Sequence, residues 1–508
     1  IISDEIGAPW IHGVGEEEKD IWMKLSHADG HTLIFGTTGS GKTRCFDLLI
    51  SQAILRGEPV IIIDPKGDVD MEANAREACK ALGREDAFVY FHIGHPERSA
   101  KINPLSNWGT PDEIASRIAA LLPQDSGSAA FTAFCWRAVN NIVSALTLCN
   151  ISPTLLGLKR YLGDGNMPSL VVQTIAAWIK QRLGQNIAED IVERFVGTKV
   201  NDEEKVSELI DWYREKMAND QNDTVNSLIE MYEHDSVHFS KMITSLLPII
   251  DQVVASDLRD LLSPSEENAS DKDIFHDMKE LIANRNVVYI GLNTLSKSNV
   301  GKAVGSLLLA DLTAVAGSTY TYGSKSITSP TGKVEDFRES RLPDFSYDGR
   351  INVFVDEANE VANAPFIQLL NKGRGAKFRM FVATQTISDF VTQLGDKAHA
   401  YQVFGNLNNL IILRCTDPDS QKFICDRLQP TKIKEVQRDQ GQNTIADQPI
   451  LSGDTYRESL KMVETPLVPA AYLGYLPNLE YFGVLSANHV IKGRIPILVR
   501  DTNNEGTK

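Results

Sequence analysis

The sequence predicts an α/β fold, a doubly wound parallel sheet interrupted by a large all-helical insertion. Three observations carry that expectation: strand-like runs alternate with helical windows at both ends of the chain, a glycine-rich loop separates the first strand from the first helix, and strand patterns vanish from a long central stretch. At 508 residues the chain exceeds what one core organises, so two or three domains are expected.

The elements follow in order. "HTLIFG", from His31, is a buried strand that runs into the glycine-rich loop, and "RCFDLLISQAILRG" continues as a helix. "PVIIIDPKGD" is a β-branched run ending in a turn, and "AFVYFHIG", from Ala87, is a third strand of the same kind. Near Pro104 the pattern changes. From about Thr110 to Asn284 the chain offers amphipathic helical windows such as "PDEIASRIAALL", "FTAFCWRAVNNIVSALTL" and "SLVVQTIAAWIKQRL", punctuated at Pro153, Gly163 and Pro168. The α/β pattern returns with "NRNVVYIGLN" and the helical "VGKAVGSLLLADLTAVAG". Thr319 to Gly349 reads as an inserted surface loop with no chemistry of its own. "RINVFVDE", "FRMFVATQT" and "NLIILRC" are further strands. The tail from about Pro430 is polar, and its "LVPAAYLGYLPNLEYFGVLSANHVIKG" is expected to pack back on the sheet as a hairpin or strand.

Composition narrows the function. A 42 % hydrophobic and 23 % charged content is that of a globular protein, and six cysteines without a CxxC pair argue against a zinc site or a disulfide framework and suit a reducing cytoplasm. No run reads as a membrane span. The stretch Ala138 to Leu158 is uncharged, but Asn140, Asn141, Asn150, Pro153 and Gly157 interrupt it. The first residue is Ile1 rather than methionine, so a removed native N-terminus is expected, and any anchor would lie upstream. A net charge of −16 excludes a broad basic DNA-coating face. Nucleic acid would have to meet a local basic lining, or be handled through partner proteins.

The loop Gly36-Thr37-Thr38-Gly39-Ser40-Gly41-Lys42-Thr43 satisfies GxxxxGK[ST] at every fixed position, between a strand and a helix. Glycines there let backbone N–H groups approach phosphates at a helix N-terminus, where the helix dipole also favours anions. Lys42 is expected to reach the β- and γ-phosphates of ATP and Thr43 to ligate Mg2+. "INVFVDE" supplies Asp356 for the metal shell and Glu357 to polarise an attacking water, which favours hydrolysis over transfer. Gln385, at the tip of "FRMFVATQT", is either a sensor of the γ-phosphate and water or a helix-cap glutamine. In "NKGRGAKFR", Lys372, Arg374, Lys377 and Arg379 occupy a glycine-flanked turn; Arg374 is an arginine finger for a neighbouring subunit, a solvated charge or a DNA contact. In "IIIDPKGD", Asp64 either caps the turn or lies near the nucleotide. Lys66 is a surface charge, or lies at a subunit contact or on a DNA path. His92 and His95 lack partners at metal-ligand spacing.

Together, "GHTLIFGTTGSGKTR", "VIIIDPKGD", "FHIGHPERSAKINPL", "FVDEANE", "GRGAKFRMFVATQT" and "LPNLEYF" resemble the type IV coupling proteins of conjugation, specifically the TraD branch, over nearly the whole chain. The resemblance implies a RecA-like P-loop NTPase domain in two parts, 1–104 and 286–508, around an inserted all-α domain, 105–285. It implies an ATPase related to FtsK- and HerA-like motors, with ATP and Mg2+ as cofactors, that is a homo-hexamer when active, with a monomer as the alternative for this chain. It also implies relaxase, single-stranded DNA (or duplex DNA) and secretion-channel components as partners. The setting would be the cytoplasmic face of the bacterial inner membrane, reached through an N-terminal anchor. Lys42, Thr43, Asp356, Glu357 and Gln385 take nucleotide roles in that comparison, and the insertion recognises relaxase and DNA. An alternative is an ATP-switched recruitment adaptor without translocation, or an FtsK/HerA-like duplex translocase.

Overall fold

The computed structural model describes residues 29–122, 129–234, 243–255, 258–264, 275–322, 349–428, 430–443, 453–485 and 489–498, with a few isolated positions between them. Strand β1 (His31–Phe35) leads into α1 (Lys42–Leu55). β2 (Val60–Asp64), α2 (Val69–Ala81), β3 (Phe88–His92) and the two-residue β4 (Lys101–Ile102) follow. After the helical region come β5 (Phe275–His276), β6 (Val287–Gly291), β7 (Ile351–Val355), β8 (Phe378–Thr384) and β9 (Leu407–Ile412). The chain closes with β10 (Thr431–Asn443), β11 (Gly453–Thr465), β12 (Glu480–Leu485) and β13 (His489–Arg494).

Nine of these strands form one sheet in the order β13-β12-β9-β1-β8-β7-β2-β6-β3. The seven from β9 to β3 run parallel, and β12 and β13 add antiparallel at one edge. Their composition explains this. β1, β2, β6, β7 and β8 are buried at every position, as strands covered on both faces must be. Because every strand from β1 to β8 points the same way, the loops after β1, β2, β7 and β8 all emerge at one edge. That edge, where β8 separates β1 from β7, is where an α/β sheet binds ligands.

Between β4 and β5 the described residues contain only helices, from Pro111–Ala119 to Leu258–Leu262. They pack through an apolar interior that includes Ile142, Leu170, Leu209, Tyr213 and Leu228, all essentially inaccessible to water. One polar knot joins this region to the sheet. Buried Arg117 donates to Asp311 at 3.1 Å and to the carbonyls of Pro104 and Asn107. Asn107 in turn donates to Asp311 and Asp277. Asp277 also caps the helix Met278–Ala283, so entry, exit and the covering helix share one hydrogen-bonded point.

The helix Ser298–Tyr322 contains a window, Ser298–Thr319, long and apolar enough to cross a membrane by length and composition, but 72 % of that window is buried in the fold. Much of the expected loop after Thr319 lies outside the described residues. The tail differs from its expectation. β10 and β11 pair along thirteen residues each as a separate two-stranded ribbon, where the sequence reads as polar coil. Mixed charges hide the alternation. Ile433, Val436, Leu460 and Met462 are exposed on the ribbon rather than buried on one face, so no period-2 apolar signal survives.

Candidate nucleotide site

The glycine-rich loop turns tightly after β1. Gly39 and Gly41 adopt φ of 75° and 114°, values that side chains resist, and Gly41 caps α1. A Cβ on Gly36 would lie 2.5 Å from Ser40 Oγ and 2.8 Å from Leu413, so only glycine fits there. Neighbouring strand ends fix the loop: the Arg414 carbonyl, just beyond β9, accepts from Thr37 N at 2.8 Å and from Thr37 Oγ1 at 3.2 Å. The Ser40 hydroxyl donates to the Thr37 carbonyl at 2.7 Å. From the other side, Leu479 N donates to the Ser40 carbonyl at 3.0 Å, and the Leu479 side chain lies against Gly41. The "LPNLEYF" segment therefore covers the loop, a contact that spacing in the sequence cannot reveal.

Lys42 is buried, and its ammonium rests on the loop's own carbonyls, 2.8 Å from Gly36 O and 3.4 Å from Thr37 O. Burial lowers its pKa, against the pull of Glu357 and Asp356. It lies 4.0 Å from Glu357 Oε1. Thr43 follows in the first turn of α1.

β7 delivers Asp356 and Glu357 to this edge, both buried. Asp356 N donates to the Ile63 carbonyl, which locks the strand end to β2. Its Oδ1 is buried without a hydrogen-bond partner. Burial, and then the nearby Glu357 and Asp64 charges, push its carboxyl up to about 6. A buried acid with an open oxygen beside the first turn of α1 fits a divalent cation shared with phosphates. Asp356 and Thr43 are the residues that would hold it. Among the described residues no group of three or more His, Cys, Asp and Glu is placed to hold a metal alone. Mg2+ does not require such a group, because it takes few protein ligands and shares phosphate oxygens.

Glu357 sits at φ 39°, a left-handed conformation unusual for a non-glycine residue and one that marks functional turns. Its Oε1 accepts from Gln385 Nε2 at 2.5 Å and from Lys66 Nζ at 2.9 Å. The Gln385 amide oxygen accepts from Thr38 Oγ1 at 3.0 Å, so Gln385 bridges the phosphate loop and the acid.

Arg374 is placed elsewhere. It is exposed in the turn Gly373–Ala376 that precedes β8, where its charge reaches His31 at the start of β1. That is the opposite end of a five-residue strand from the phosphate loop, about 15 Å away at the usual rise per residue. Within one chain it does not join the site. Arg379 is not in the turn either: it lies inside β8, buried and paired with Asp29 at 2.5 Å. Asp64 does cap its turn, accepting from Lys66 N, Gly67 N and Asp68 N, and the buried Tyr289 hydroxyl also donates to it. Lys66 is neither a plain surface charge nor remote from the chemistry. The "DPKGD" turn aims it at Glu357, and that was visible in the sequence only as a charge at a strand end.

Two families match parts of the chain: residues 350–478 match the TraM recognition site of TraD and TraG, and residues 16–106 match the central domain of the helicase HerA. A further match is the type 4 coupling protein DotL of Legionella pneumophila, 22 % identical over 425 residues, which covers 79 % of this chain. These matches make the chain similar to type IV coupling proteins over much of its length. It spans about half the length of DotL, 49 %. The fold resembles that of the plasmid coupling protein TrwB solved with a non-hydrolysable ATP analogue (TM-score 0.56, 14 % identity, 97 % of this chain and 93 % of that one). TrwB solved with ADP and Mg2+ matches equally, at TM-score 0.56 and 14 % identity over the same shares of each chain. In this sheet β1, β8 and β7 are neighbours in that order, and their carboxyl ends share one edge.

Proposed function

We propose that the chain is the ATP-hydrolysing motor of a conjugative type IV secretion system, a coupling protein that recruits a relaxase bound to single-stranded DNA and delivers it to the secretion channel. One observation carries the reading. A phosphate loop, a buried acid with an open oxygen and a second acid held by a loop-bridging glutamine converge on one sheet edge. Matches to DotL, TrwB and the HerA central domain support the motor assignment.

The residues divide the work by position. Glycine-loop N–H groups cradle the phosphates, and Lys42 exchanges the Gly36 carbonyl for phosphate oxygens. Mg2+, held by Thr43 and Asp356, would neutralise charge on the β- and γ-phosphates. Glu357 accepts the proton of the attacking water, and Gln385 reports the γ-phosphate to β8 through Thr38. Arg374, remote in cis and exposed, acts in a neighbouring subunit of a homo-hexamer. In that reading an upstream anchor holds the ring to the cytoplasmic face of the inner membrane.

The test is ATP turnover with single-stranded or duplex DNA at rising protein concentration. Single-stranded DNA should stimulate most, and specific activity should climb with concentration. Equal activity in dilute monomer would remove Arg374 from the mechanism, and preference for duplex would favour an FtsK/HerA-like translocase. The insertion favours a second reading, a recruitment adaptor, because it carries most of the chain's net charge of −16, and an acidic surface suits a basic protein better than bare DNA. Relaxase binding with no DNA-stimulated turnover would establish that reading instead.

A further inference from the structure

We propose that Lys66 is a positioning residue that keeps Glu357 parked when the site is idle, releasing it for hydrolysis only when the ammonium finds another anion. The inference rests on the assignment of Glu357 as the base, and it concerns how that base is controlled.

The geometry is specific. Lys66 Nζ lies 2.9 Å from Glu357 Oε1, the same oxygen that accepts from Gln385 and lies 4.0 Å from Lys42 Nζ. Two hydrogen bonds, from Lys66 and Gln385, occupy that oxygen and fix the direction of the carboxylate, and the Lys42 charge adds to their hold from 4.0 Å. The parked state is selected by charge. Glu357 is buried, and an unpaired buried carboxylate is costly, so without nucleotide the two lysines and the amide are its counter-groups.

The base of Lys66 is rigid and its tip is not. Asp64 holds the turn through the N–H groups of residues 66, 67 and 68, and Tyr289 braces Asp64 from β6. The backbone is thus fixed within reach of Glu357, while the side chain is 42 % exposed and flexible. Burial opposes its charge, but the Glu357 hydrogen bond and the acids around it outweigh burial and raise its pKa, so the ammonium persists across the physiological range. Lys42 and Gln385 both have somewhere to go when a triphosphate enters, because the loop carbonyls and Thr38 that hold them line the phosphate site. Lys66 has no partner in the phosphate loop among the described residues. It remains on Glu357 until an anion at the exposed rim, a phosphodiester of DNA, draws it away.

In the 508-residue chain, Lys66→Met should raise ATP turnover without DNA about tenfold, the usual scale of one charge-assisted hydrogen bond, with the KM for ATP unchanged. The ratio of DNA-stimulated to basal turnover should shrink, and Lys66→Arg should restore the low basal rate. A thermal double-mutant cycle between Lys66→Met and Glu357→Gln reads the pair without turnover. The expected non-additivity is present in the nucleotide-free protein, persists with a non-hydrolysable ATP analogue alone and is lost when single-stranded DNA is added with the analogue. Additivity without nucleotide, or a Lys66→Met basal rate at or below that of the parent, overturns the proposal. If Glu357→Gln is inactive while Lys66→Met is unchanged, the parking role alone fails. If Glu357→Gln turns over normally, the base assignment fails with it.

Discussion

The sheet edge and the helical insertion are built on opposite principles. At the edge, Lys42, Asp64, Lys66, Asp356 and Glu357 are drawn together, with several buried and one acid oxygen left without a partner. In the insertion the interior is aliphatic, and the ion pairs Arg137–Glu230, Arg182–Asp220 and Arg214–Glu233 stay on the exposed surface, where such pairs contribute little. A deeply buried charge pair, the insertion's Arg117 with Asp311 of the helix Ser298–Tyr322, lies where the insertion meets the sheet. Buried charge is costly and persists where it has work to do: at one place, in the proposed function, it handles phosphate, and at the other it fixes how two regions meet.

The comparison can be broken by substitution. Lys42→Ala should cost the most, at least about a hundredfold in ATP turnover, because it removes the cation that meets developing phosphate charge. Nucleotide-dependent turnover that survives it would show that the buried charges at the edge are merely structural. Arg117→Met comes next. It removes the cation paired with buried Asp311 and the donor to the Pro104 and Asn107 carbonyls, which should lower unfolding stability by about 3 kcal/mol in denaturant titration. Faster proteolytic nicking near residues 104–110 should accompany it. A stable, nicking-resistant variant would show that the junction is held by apolar packing alone.

A subtler distinction comes from pH. Burial and its acidic neighbours raise the Asp356 carboxyl to about 6, so the folded protein holds a proton there, between the ordinary 3.8 and 6, that the unfolded chain has lost. From this group alone, stability falls as pH rises through that window, and the penalty is complete above about 6. If Asp356 holds Mg2+ as proposed, the metal has to displace that proton, so metal-dependent nucleotide affinity should weaken as pH drops below 6. Calorimetry at pH 5.5 and 7.5 reads this, and Asp356→Asn should flatten the difference. Leu479→Ala should have the smallest effect. Losing a partly buried contact against Gly41 costs about 1 kcal/mol, read as a several-fold weaker nucleotide affinity with turnover at saturation retained.

How much of this was legible in the sequence follows the same division. The phosphate loop, β2 and β7 were readable because continuous apolar, largely β-branched runs stop abruptly at glycines or acids, and β8 because its apolar run stops at Thr384 and Gln385. The destination of Lys66 was not, because one lysine after a strand looks the same whether it faces solvent or a carboxylate at the end of the neighbouring strand. Arg379 reads as a turn residue because a charge rarely sits inside a buried strand, and its partner Asp29 is distant in sequence. The cover formed by Leu479 and the Arg117–Asp311 knot depend on tertiary proximity that no local period encodes. The β10–β11 ribbon escaped because its strands pair with each other and not with a core, so nothing selects an apolar face.

The central claim, that Glu357 is the base of a phosphate-loop ATPase, is tested most directly by comparing Glu357→Gln with the parent chain in nucleotide binding and steady-state ATP hydrolysis. The account predicts that a labelled ATP analogue binds both within a few-fold while turnover in the variant falls about a hundredfold or more. Turnover at the parent rate would contradict it.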